Sequence, residues 1–258
     1  GESRRRRGCR LMRVLVIKTS SLGDVIHTLP ALTDASRALP GIRFDWIVEE
    51  GFAEIPAWHP AVDRVIPVAL RRWRKQPLRT LLGGEWRAFT RGVGQAHYDA
   101  VIDAQGLLKS AVLTRHARGP VHGLDRRSAR EPPASLFYRH RHRVAWGRHA
   151  VERVRELFAR ALGYAVPPTP CDYGLDAGRL GVRHAGPPYL VFLHGTTWPT
   201  KHWPEAYWRR LAELAAGAGW EVRLPWGNDM EEARARRIAA GLDAVRVLPR
   251  LNLAGVAA

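Results

Sequence analysis

Residues 17–30 read IKTSSLGDVIHTLP, and this stretch decides the fold. The run before it, Val14, Leu15, Val16 and Ile17, consists of strand formers and ends at Lys18. A short polar loop follows, then Asp24, then a helical pattern. Nucleotide-binding α/β folds open with this order of buried parallel strand, tight turn and helix. The usual G-x-G-x-x-G is absent, however, and a carboxylate stands where a phosphate would otherwise rest.

Working outward, strands and helices keep alternating. Met12–Lys18 reads as a strand. Residues 25–39 have helical spacing, with Pro30 expected to end or kink the first turn. Residues 42–48, 62–69 and 98–106 read as further strands, the last turning at Gln105-Gly106, and residues 107–117 as a helix. The stretches 70–80 (LRRWRKQPLRT) and 119–149 look irregular, as insertions on the rim of the sheet. Residues 146–164 form an amphipathic helix with Val151, Val154, Leu157, Phe158 and Leu162 on its apolar face. After PPTP at 167–170 the alternation resumes. Residues 188–195, 221–227 and 244–249 read as strands, 205–219 and 229–241 as helices. The pattern predicts an α/β protein of two Rossmann-like units with parallel sheets facing across a cleft. The boundaries are a basic extension (1–11), a first unit (12–166), a linker (167–187) and a second unit (188–258). The second unit is short for a complete α/β domain, so we expect it to be incomplete at its C-terminal end.

Composition narrows the functional classes. The 258 residues carry 41 Lys and Arg against 24 Asp and Glu, a net charge of +17. Such a surplus implies an acidic partner: nucleic acid, an anionic membrane surface or a polyanionic substrate. The two cysteines, Cys9 and Cys171, are too few for a disulfide framework and wrongly spaced for a metal site, which fits a reducing compartment. No apolar run approaches the ~20 residues of a membrane span, and the basic start lacks the apolar segment of a secretory signal.

Three polar loops fall at the carboxyl ends of predicted strands: TSSLGD (19–24), HGTTWPTKHWP (194–204) and WGNDMEE (226–232). Asp24 reads either as a helix-capping acid, with Ser20 or Ser21 as the other capping candidates, or as a general base. Lys201 reads either as a solvated lysine or as a diphosphate ligand supported by the hydroxyls of Thr196 and Thr197 and by a helix N-terminus. Glu231 and Glu232 either offset the dipole of the helix they open or accept hydrogen bonds from sugar hydroxyls. Arg71, Arg72, Arg74 and Lys75 around Trp73 form either a solvated face or an anion-binding patch. His194 and His202 have no third partner at metal spacing.

Together, VLVIKTSSLGDVIHTLPAL (14–32), FDWIVEEGFAEIP (44–56), VIPVALRRWRK (65–75), YDAVIDAQGLLKSA (98–111), AREPPASLFY (129–138), HAVERVRELFARALGY (149–164) and KHWPEAYW (201–208) resemble the lipopolysaccharide heptosyltransferases of glycosyltransferase family 9. Among these they resemble the branch that adds the first inner-core heptose. The resemblance runs from Met12 to about Val256. It implies a GT-B fold and inverting, metal-independent transfer from ADP-L-glycero-β-D-manno-heptose to the Kdo of Kdo2-lipid A, with no cofactor. By the same resemblance Asp24 is the catalytic base and Lys201 offsets charge on the departing ADP. Thr196, Thr197, Lys201, Glu231 and Leu251 would hold the donor. Lys18, Ser20, Ser21, Arg71, Arg72, Arg74, Lys75, Lys109 and Arg130 would meet the acceptor. It also implies a cytoplasmic protein, peripheral on the anionic inner membrane, that binds no nucleic acid. An Asp-x-Gly-x-x-His segment of the family, which contacts the donor, would follow residue 258. The alternatives are another ADP-heptose core transferase such as heptosyltransferase II, an inactive fragment of such an enzyme, an NAD-linked Rossmann enzyme and a basic nucleic-acid-binding protein. The missing glycine fingerprint counts against the NAD reading.

Overall fold

The computed structural model describes residues 11–76, 80, 83–178, 180–181, 188–196 and 199–257. The arginine run, Cys9 and Thr197 lie outside the described residues. The chain divides into two compact units, Gly1–Asp176 and Ala177–Ala258.

The first unit contains strands β1 (Arg13–Ile17), β2 (Arg43–Glu49), β3 (Val62–Val68), β4 (Ala100–Asp103), β5 (Val121–Leu124) and β6 (His140–His142). Its helices are α1 (Leu22–Ile26), α2 (Leu29–Ala38), α3 (Glu54–Ala57), α4 (Leu70–Trp73), α5 (Gly84–Gly94), α6 (Leu108–Leu113) and α7 (Ala150–Leu162). The six strands form one parallel sheet in the order β3-β2-β1-β4-β5-β6. A strand buried on both faces carries a continuous apolar run, and Val14–Ile17 are fully buried. Side chains alternate across the sheet, so Leu15 and Ile17 meet Ile47, Trp73, Phe89, Val93 and Leu113 in one core cluster. Order 3-2-1-4 places the topological switch between β1 and β4, where the chain runs off in opposite directions and leaves a crevice at the strands' carboxyl ends.

The second unit contains β7 (Tyr189–Val191), β8 (Glu221–Leu224) and β9 (Val245–Val247), parallel and in that order, with α8 (Glu205–Gly217), α9 (Asp229–Ala239) and α10 (Leu253–Ala257). Phe192, Ala212, Ala215, Val222, Leu224, Ala235, Ile238 and Val245 form its core.

Three expectations need correction. The helix expected over 25–39 is two helices, because Pro30 offers no N–H to the Ile26 carbonyl and its ring blocks that turn; α1 ends at Ile26, and Pro30 sits in the first turn of α2. The stretch 119–149 is not an insertion. It supplies β5 and β6, whose sequences VHGL and HRH carry no apolar run to announce them. Within 70–80, Leu70–Trp73 form a helical turn, and Trp73 is buried in the core against Trp86 and Phe89.

The buried Asp45 of the first unit is paired. Asp45 accepts from Arg13, Arg64 and the Tyr98 hydroxyl, the last at 2.8 Å. Two histidines are buried neutral. His59 accepts from the Ala61 N–H through Nδ1 and lies 3.0 Å from the Thr33 hydroxyl. His122 Nδ1 lies 3.0 Å from His142 Nε2. Burial depresses both to about 4 from 6.5, with His140 and His142 adding to the effect at His122. Unfolded imidazoles bind protons below 6.5 while these two stay neutral, so stability is full above 6.5 and falls between about 6.5 and 4. Each site contributes on the order of 3 kcal/mol to that loss. We expect urea midpoints to drop through this window and the slope to flatten in His122→Gln.

Candidate active site

The first unit's site grows from the end of β1. The Lys18 carbonyl accepts from Trp46 Nε1 at 3.1 Å, which fixes where the strand stops. Lys18 is 8% exposed, and its ammonium donates to the Ala104 carbonyl at 3.0 Å, tying the end of β1 to the end of β4. Burial lowers the basicity of Lys18, and Asp24 and Asp103 oppose that shift.

The loop Thr19–Ser21 is gripped by Gln105, which follows β4. Gln105 Oε1 accepts from the N–H groups of Thr19 (2.9 Å) and Ser20 (3.3 Å), and its Nε2 donates to the Ser20 carbonyl (2.7 Å). Gln105 is itself set by buried Asp103, which accepts from the Gln105 N–H at 2.8 Å, from Ser110 at 2.9 Å and from the Tyr138 hydroxyl at 2.8 Å. Tyr138 reaches Asp103 by lying across Gly123, where a Cβ would come within 2.4 Å of its ring. A side chain at residue 123 would therefore displace the ring that helps anchor this network.

Asp24 sits in the first turn of α1. Its Oδ2 accepts from both the Ser21 N–H (2.9 Å) and the Ser21 hydroxyl (2.8 Å). Capping and catalysis are thus compatible, because one oxygen caps and no hydrogen bond among the described residues falls on Oδ1. Burial pushes the Asp24 carboxyl up. The Ser21 N–H, the Lys18 ammonium, the Ser21 hydroxyl and His27 outweigh it and hold the group below its ordinary value. Asp24 is therefore ionised at neutral pH.

Asp24, Lys18, Gln105 and Arg130 share one cavity of about 260 Å³ with Ser128, Trp146 and Arg153. Lys109 lies 3.3 Å from the Ser20 hydroxyl. Lys109 also lines a second groove of about 500 Å³ with Arg71, Arg74, Trp73 and Trp86. Lys75 is exposed. Arg72 turns away, its guanidinium bound to Glu50 (3.1 Å) and Glu85 (2.8 Å). Sequence reading missed Gln105 and Arg153. The signals present were a polar residue two positions beyond β4 and an arginine set between the buried positions Val151 and Val154.

In the second unit, the loops after β7 and β8 converge. Asn228 caps α9 by accepting from the Glu231 N–H, and Glu231 Oε2 accepts from the Gly227 N–H at 2.8 Å. The Glu231 carboxylate packs on Gly195, where a Cβ would meet it at 2.7 Å, so a side chain there would push the carboxylate aside. Thr196 is half-buried and Lys201 exposed, just ahead of α8; Leu251 is half-buried. His194 is buried. Arg234 bonds to His202 and to the Trp203 carbonyl. Among the described residues no group of three or more His, Cys, Asp or Glu could hold a metal ion, and no helix is long and apolar enough to cross a membrane.

Two Rossmann-like parallel α/β units in one chain, the first with a carboxylate at its switch point, fit a glycosyltransferase of the GT-B class. The chain belongs to glycosyltransferase family 9 (heptosyltransferase), whose family model matches residues 86–258. Lipopolysaccharide heptosyltransferase 1 of Pseudomonas aeruginosa is 68% identical over 247 residues, covering 95% of this chain and 70% of that protein. The structure of E. coli heptosyltransferase WaaC with ADP superposes with a TM-score of 0.91 at 56% identity, covering 95% of this chain and 77% of that one. The same enzyme with ADP-2-deoxy-2-fluoro heptose gives 0.91 and 56%, with coverages of 95% and 78%.

Proposed function

We propose that this chain transfers L-glycero-D-manno-heptose from ADP-L-glycero-β-D-manno-heptose to the Kdo of Kdo2-lipid A with inversion, adding the first heptose of the lipopolysaccharide inner core. The observation that carries the reaction is the seating of Asp24 in a cavity lined by cations, bound through one oxygen and, among the described residues, with no hydrogen bond on the other. Likeness to heptosyltransferase 1, and to WaaC with ADP and with a heptose analogue, supports the donor and the pathway step.

In this reading a Kdo hydroxyl oxygen attacks the anomeric carbon of the heptose while Asp24 Oδ1 takes its proton. The bond from that carbon to the phosphate oxygen breaks, and ADP leaves from the opposite face. Lys201, with Thr196 and Thr197, holds the diphosphate and offsets its growing charge. Glu231 accepts from donor hydroxyls and Leu251 packs on the nucleotide. Arg71, Arg74, Lys75, Lys109 and Arg130 draw in the phosphates and carboxylates of the acceptor and hold the enzyme against the anionic cytoplasmic face of the inner membrane. The test is ADP release in the presence of both substrates. Release that requires Kdo2-lipid A supports transfer; release indifferent to it, or none, refutes it.

The charge environment of Asp24 predicts a pH effect. The Lys18 ammonium holds the Asp24 carboxyl down, so removing it raises the pH at which the base is lost. In Lys18→Met the acid limb of kcat/KM moves to higher pH than in the wild type. An unmoved limb would show that Asp24 does not set it.

A further inference from the structure

We propose that Arg153, together with Lys18 and Arg130, forms a subsite for the carboxylate of an acidic sugar beside Asp24. The proposal rests on the reading above, in which the accepting residue is a Kdo, and it assigns the recognition of the acid group to a residue of α7. The Arg153 guanidinium lies over the Trp146 ring at 4.1 Å, and its Nη2 donates to the Ser128 carbonyl at 2.7 Å. Ser128 is itself fixed, its hydroxyl accepting from the Val144 N–H at 2.9 Å. The guanidinium plane is therefore held from two sides. Among the described residues its Nε has no hydrogen-bond partner, and burial lowers the basicity of the group.

The cavity thus carries three cations, Lys18, Arg130 and Arg153, against the single carboxylate of Asp24. Asp24 offsets only one of the three, so a positive surplus remains. A fixed, half-buried guanidinium that lines the cavity matches a carboxylate in plane and charge. A sugar acid docked there leaves Asp24 ionised, because Lys18 still faces it.

The test compares Kdo2-lipid A with the same acceptor after reduction of its Kdo carboxyl groups to primary alcohols, using wild type, Arg153→Met and Arg153→Lys. Wild-type kcat/KM should fall about thirtyfold on the reduced acceptor, the cost of unpairing a sequestered charge. Arg153→Met should fall by a similar factor on the native acceptor and lose nothing further on the reduced one, and Arg153→Lys should recover part of the loss. Equal losses on both acceptors in Arg153→Met would make the residue merely structural and overturn the subsite. Wild type that ignores the reduction overturns it without recourse to any variant. Absence of transfer to the native acceptor overturns the functional reading itself, and the subsite with it.

Discussion

Asp24→Asn lowers kcat by about 10³-fold and leaves the KM for the donor nearly unchanged. Asparagine is isosteric, and its amide oxygen still accepts from the Ser21 N–H, so the turn at the start of α1 survives. What disappears is the oxygen that can take a proton. Steady-state kinetics with varied donor separates the two roles of this residue. A cap alone stabilises a helix by about 1 kcal/mol, and its loss would appear in thermal unfolding rather than in kcat. A variant with near wild-type kcat and a lowered Tm would reduce Asp24 to a cap.

The second large effect concerns stability. Arg155 on α7 pairs with Asp34 on α2 at 2.6 Å, with both side chains nearly out of solvent. The same guanidinium donates to the carbonyls of Pro167 and Thr169 at 3.2 Å each, pinning the chain beyond α7. Arg155→Met leaves the Asp34 carboxylate buried and unanswered, and costs about 3–5 kcal/mol. Urea unfolding read by circular dichroism measures it. Adding Asp34→Leu removes the stranded charge, so the double variant should recover most of the loss. If it is no more stable than the single variant, the cost lies in the contacts to Pro167 and Thr169 instead.

How far the sequence reached follows from where each signal lives. The fully buried run Val14–Ile17 and the strands at β2 and β4 announce themselves because apolar residues concentrate where a sheet is covered on both faces, and the edge strand β3 by its valines and isoleucine. β5 and β6 do not, since they are short strands of histidine, glycine and arginine recruited by pairing with β4 and with each other. Asp24 stood out by its position alone, yet its two candidate roles separate only in three dimensions, where Ser21 claims one oxygen and leaves the other. Arg72 reads like its neighbours in a basic run. Only the structure reveals that Glu50 and Glu85 hold it. Gln105 and Arg153 act through contacts with residues 85 and 25 positions away, which no local pattern encodes.

The most direct test of the central claim is mass spectrometry of Kdo2-lipid A after incubation with this chain and ADP-heptose, with Asp24→Asn run alongside. The account predicts an acceptor heavier by one heptose with the wild type and almost no gain with the variant. An acceptor of unchanged mass, or an equal gain with Asp24→Asn, would contradict it.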